Sequence, residues 1–199
     1  MEYCIIGRLF ISNVAEGEFM QLANNRERFG LLTKLLHWSI FILYVVQFYL
    51  VYRREYLPKE APEKLQYILL HKSLGVVVLT LGILMLLWSH VGKRPPAPNN
   101  SKPKLILSKL VHIFLYLSML IMPISGIFMS ILSGRAVGVF DWFKIPLFLA
   151  KNEVLAEKIF YVHLYTSYAV IGLVSLHVLG ALYNHYIAKN NVLRRMTCS

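Results

Sequence analysis

Acidic residues are few in this chain. Ten Asp and Glu stand against 21 Lys and Arg, and charged residues of both signs make up only 16% of the sequence. Soluble domains carry about a quarter charged residues, so the shortage excludes an ordinary soluble protein and a charge-rich disordered one. Cysteine is scarce too. Cys4 and Cys198 lie near opposite ends of the 199 residues. They offer no disulfide framework, no Cys-x-x-Cys-His haem attachment and too few thiolates for a zinc site. Apolar residues are what the chain has in abundance: 57% are hydrophobic, 13% are aromatic, and mean hydropathy is +0.55. At about 20 residues per membrane-crossing helix, a chain of this length holds a small helical bundle and little else.

Four apolar stretches are long enough to cross a bilayer, at about 31–52, 67–91, 105–132 and 159–186. The first stops at Arg53 and Arg54, and the second stops before GKRPPAPNNSKPK, a Pro/Asn stretch that no helix continues through. The third contains Pro123 and Gly126, which membrane helices tolerate with a mild kink. The expected fold is therefore all-α, a transmembrane four-helix bundle over 31–188, with a peripheral extension over 1–30 and a tail over 189–199. The N-terminal MEYCIIGRLFI lacks the basic start and small-residue cleavage site of a signal peptide. Met20 is an alternative start that leaves 1–19 outside the core.

Four spans put both termini on one side. That side, with the 92–104 loop, carries twelve Lys and Arg against nine opposite, if Lys72 snorkels outward. The positive-inside rule then places both termini in the cytoplasm. The net charge of +11 reads mainly as juxtamembrane anchoring, and no nucleic-acid partner is expected.

Ionisable groups are costly in hydrocarbon, so a histidine within a span is a functional candidate by default. All seven, at 37, 71, 90, 112, 163, 177 and 185, lie in or at the edge of a span. His163 and His177 are fourteen residues apart, which is about 40° short of four full turns and about 21 Å of rise. Both therefore face one side of the fourth helix, one towards each surface. With the termini inside, His37 shares an inner level with His177, and His71 shares an outer level with His163. Two such pairs suit planar cofactors with axial nitrogen ligands from facing helices, and non-covalent haem b fits. Saturated bis-His iron favours outer-sphere electron transfer over oxygen activation. Gly75 follows His71 by one turn, Gly172 lies between the two fourth-span histidines and Gly126 lies on the third span. Each allows a porphyrin close to backbone. His90, His112 and His185 read as interfacial, with a haem propionate or a quinone carbonyl as the alternative contact for His112. Histidine chains also serve transporters and proton relays, a reading weakened because no Asp or Glu lies within the four stretches.

The strings KLLHW, LLHKSLG, PISGIFM, YVHLYTSY and SLHVLGALYNHYIAKNNVLRRM closely resemble the bacterial diheme cytochrome b561 family over about residues 20–196. The resemblance implies a multi-pass protein of the bacterial inner membrane with two haem b and His37, His71, His163 and His177 as axial ligands. A characterised member acts as a superoxide oxidase, so ubiquinone and superoxide are the implied partners alongside the lipid bilayer, and the outer haem is the implied entry point. Lys72 beside the outer ligand, with Arg135, Arg53, Arg54, Lys64 and Lys158, makes a cationic mouth suited to an anionic substrate, or simply solvated loop charge. Similar bundles also anchor hydrogenases and other dehydrogenases. A dehydrogenase partner, a homodimer and a haem-free transporter stay open at this point.

Overall fold

In the computed structural model, residues 22–91, 94–98 and 101–197 are described. Residues 1–21 of the expected extension, with the alternative start at Met20, and both cysteines lie outside the described residues. Four long helices dominate: α1 (Leu31–Tyr56), α2 (Glu63–Trp88), α3 (Lys102–Leu132) and α4 (Glu153–Leu182). All four are long and apolar enough to cross a membrane. Each carries large apolar side chains exposed around its circumference, among them Ile42, Leu84, Phe114 and Ile171. A bundle in water buries these groups, whereas lipid leaves no reason to.

The helices outrun the apolar stretches that announce them. The 26 residues of α1 rise about 39 Å against a hydrocarbon layer of about 30 Å, so the helix passes through Arg53 and Arg54 and ends at Tyr56. In the same way α2 begins at Glu63 and α4 at Glu153. Charge at headgroup level ends the buried span and not the helix. At its other end α2 stops at Trp88, so His90 lies just past it. Helix α3 runs through Pro123 as one element. A Cβ on Gly82 would meet the Met119 Cβ at 3.1 Å, so the glycine lets α2 approach α3 closely there.

Packing is unequal around the bundle. The closest neighbours are α3 with α4, α1 with α2, and α2 with α3, whereas α1 and α2 make little or no close backbone approach to α4 among the described residues. Between α3 and α4 the chain forms a small antiparallel hairpin of β1 (Val137–Val139) and β2 (Phe143–Ile145). Val137 and Val139 point inward and are almost fully buried. Phe140 at the turn takes a left-handed φ of 48°.

The hairpin folds back onto α2. The Ser73 hydroxyl donates to the Gly138 carbonyl at 3.2 Å and accepts the Phe140 N–H at 2.8 Å. At the opposite end the helices are tied by polar contacts. The Trp88 indole donates to the Thr33 hydroxyl at 3.0 Å, and Lys104 donates to the Tyr183 hydroxyl at 2.7 Å. Helix α4 continues into a π-turn at Tyr183–Ile187, and a short α5 (Val192–Thr197) follows. Arg195 of α5 donates to the Pro96 carbonyl at 2.8 Å, and Trp38 of α1 donates to the Met196 carbonyl at 3.1 Å. The start of α1, the end of α2, the start of α3 and the tail thus share one face.

Candidate functional site

The four span histidines come together as two pairs, in the combination that their spacing implies. His37 of α1 faces His177 of α4 with ring centroids 6.0 Å apart, and His71 of α2 faces His163 of α4 at 6.3 Å. All four residues are half-buried. Metal–imidazole bonds run about 2.0–2.1 Å with the ring centre roughly 1.1 Å behind the nitrogen, so two trans imidazoles on one metal have centroids about 6.2–6.4 Å apart. The His71–His163 separation falls within that range and the His37–His177 separation lies about 0.2 Å short of it. The helices joined by each pair are also those whose backbones stay apart, which leaves width for a planar group.

No group of three or more metal-ligating side chains occurs among the described residues. Each pair would offer two ring nitrogens to a group that brings its remaining ligands with it, as a haem does. The tautomers agree with this. His163 Nδ1 lies 2.9 Å from the Met122 carbonyl and 3.0 Å from the Ser125 hydroxyl. A carbonyl only accepts, so Nδ1 carries the proton and Nε2 is left with a lone pair, the usual state of a histidine held for a metal. The residues present fit axial ligation of haem b.

The three glycines differ in what they face. A Cβ on Gly126 would meet the His163 ring at 3.3 Å, so its absence lets α3 approach that imidazole closely. A Cβ on Gly75 would meet the Gln47 amide nitrogen at 3.5 Å, and one on Gly172 would meet nothing within 4 Å. Gly126 therefore shapes the surroundings of the His71–His163 pair, Gly75 lies in ordinary contact with Gln47, and Gly172 presents bare backbone.

The remaining histidines separate into two kinds. His90 donates Nδ1–H to the Leu86 carbonyl at 2.8 Å on the preceding turn, and His185 stacks edge-on against Tyr186. Both suit the interface. His112 also has a local bond, to the Ser108 carbonyl at 2.6 Å. Its ring, however, lies only 5.0 Å from that of His177 and nearly perpendicular to it, which brings it beside the inner pair. Of the expected cationic residues, Arg54 and Lys72 lie within electrostatic reach of His71, and Arg135 lies within reach of Lys72.

Two contributors are missing from the sequence reading. Ser73 docks the hairpin two residues after His71. Gln47 donates its amide N–H to the His71 carbonyl at 3.1 Å. A signal for Gln47 exists, since it is an amide inside the run YVVQFYL, where a polar group needs a partner. Nothing in Ser73's own neighbourhood distinguishes it from other small residues at helix contacts.

Comparison with known proteins identifies the family. Residues 28–198 match the family model described as prokaryotic cytochrome b561. Cytochrome b561 homolog 2 of Escherichia coli K12 is 30% identical over 185 residues, covering 89% of this chain and 95% of the relative. Cytochrome b561 homolog 1 of the same organism is 29% identical over 174 residues, covering 85% and 96%. A probable superoxide oxidase, CybB, of Yersinia pestis is 28% identical over 169 residues, covering 81% and 90%. The chain belongs to the prokaryotic cytochrome b561 family of membrane b-type cytochromes, which bind b-type haem and transfer electrons.

Proposed function

We propose that this protein is a diheme oxidoreductase of the bacterial inner membrane that takes electrons from superoxide and delivers them to ubiquinone, with both termini in the cytoplasm. The observation that carries the reading is the pair of facing histidines at each of two levels on α4. His71 and His163 hold the outer haem, and His37 and His177 hold the inner one. A haem b held by these residues would supply one-electron transfer.

The chain's own residues divide the remaining work. Arg54 and Lys72 put positive charge around His71, and Arg135 adds to it beside Lys72, which draws an anion towards the outer pair. Met122 and Ser125 fix the His163 ring, and the hairpin docked on Ser73 packs Val137 and Val139 beside α2. The name carried by the Yersinia relative supports superoxide as the donor.

The test is purified protein in detergent with a ubiquinone analogue and an enzymatic superoxide source. Superoxide-dependent quinol formation that catalase leaves intact and superoxide dismutase abolishes is the expected result. Haem-containing protein that forms no quinol under these conditions overturns the superoxide assignment, and protein without haem overturns the whole reading in favour of a haem-free membrane role.

A further inference from the structure

Among the described residues, two buried side-chain polar atoms beside each other at the outer site make no regular hydrogen bond, Gln47 Oε1 and His71 Nδ1. Gln47 of α1 reaches α2 at His71 itself, through the bond to its carbonyl. The Gln47 amide also lies against Gly75, one turn beyond His71, where a Cβ would stand in ordinary contact at 3.5 Å from Nε2. The amide is thus held against the segment that carries His71, with its donor satisfied and its acceptor unused.

The partner histidine shows what His71 lacks. His163 has its Nδ1 fixed by Met122 and Ser125, whereas the buried His71 Nδ1 makes no regular hydrogen bond, the Gln47 main chain lying near it without one. When Nε2 of a histidine is committed to a metal, Nδ1 carries a proton. A buried N–H then seeks an acceptor, which fixes the ring and raises its basicity. We propose that Gln47 is the positioning residue of the outer site: its amide oxygen accepts the His71 Nδ1–H, directly or through one buried water, while its amide nitrogen holds the α2 backbone at the same residue. A water in that position has the two or more polar partners that buried waters need. The inference rests on the reading of His71 and His163 as axial ligands. It adds a device specific to one of the two pairs, because no side-chain amide is bonded to His37 or His177 among the described residues.

The consequence is electronic. An acceptor on Nδ1–H makes the imidazole a stronger donor, which favours oxidised iron and lowers that haem's potential. The experiment is spectroelectrochemical titration of wild-type protein, Gln47→Met and Gln47→Glu, with haem content measured on each preparation and the two b signals assigned by His163→Ala and His177→Ala. Gln47→Met keeps size and removes the acceptor. It is expected to raise the outer midpoint potential by about 59 mV, tenfold in the one-electron equilibrium, with the inner midpoint unmoved and the outer low-spin signal in electron paramagnetic resonance shifted. Gln47→Glu keeps an acceptor oxygen and returns the outer potential to the wild-type value or below. If Gln47→Met retains two haems with both potentials and the outer signal unchanged, or if both potentials move together, the proposal is wrong. Wild-type protein without two b haems instead overturns the ligand reading on which it rests.

Discussion

The outer and inner histidine pairs have nearly the same separation, yet their surroundings differ. Around the outer pair polar contacts converge: Met122 and Ser125 on the His163 ring, Gln47 on the His71 backbone, and Ser73 binding the hairpin. Around the inner pair the contacts are aromatic. His112 lies edge-on to His177 and Trp38 edge-on to His37, and Trp38 in turn binds the tail at Met196. One site is oriented by hydrogen bonds and rimmed by cations, and the other is packed by rings and closed by the tail. Different surroundings let the two sites be tuned to different potentials.

The largest expected effect separates the pairs outright. His163→Ala removes the outer haem and His177→Ala the inner one, each leaving about half the wild-type haem on purified protein. If either variant keeps the full complement, the pairing is wrong. Next is the rim. Exchanging Lys72 and Arg135 for Gln slows superoxide-dependent haem reduction roughly tenfold at low ionic strength, and the deficit shrinks as salt is added. A rate that stays equal to wild type at low salt, with haem content intact, removes the steering role.

The hairpin comes third. Ser73→Ala strips the Phe140 N–H and the Gly138 carbonyl of their partner at a cost of about 1–2 kcal/mol, read as faster proteolysis within 137–145 and a lower temperature of outer-haem loss. The inner haem, remote from the hairpin, is unaffected. The smallest effect lies at the tail. Trp38→Phe keeps the ring against His37 and removes only the bond to Met196, about 1 kcal/mol. It loosens α5, detected as faster cleavage after Arg194 or Arg195, with both haems retained.

Much of this asymmetry is invisible in the sequence, for physical reasons. The spans are legible because lipid demands long apolar runs. The pairing is legible because fourteen residues on a helix bring His163 and His177 back to nearly one face. Helix ends are harder to read, since Arg53, Glu63 and Glu153 mark the limit of hydrocarbon and not the limit of hydrogen bonding. The hairpin has strands of three residues, too short for alternation to stand out, and its anchor Ser73 acquires meaning only when α2 meets a segment 65 residues later. Gln47 is legible as an oddity within an apolar run, but its partner depends on how α1 and α2 pack.

The most direct test of the central claim is quantitative haem analysis with redox titration on the purified full-length chain. Two b haems per polypeptide, titrating as two one-electron components of which His163→Ala and His177→Ala each delete a different one, is the predicted result. One haem or none per polypeptide, or two haems that survive either substitution, would contradict it.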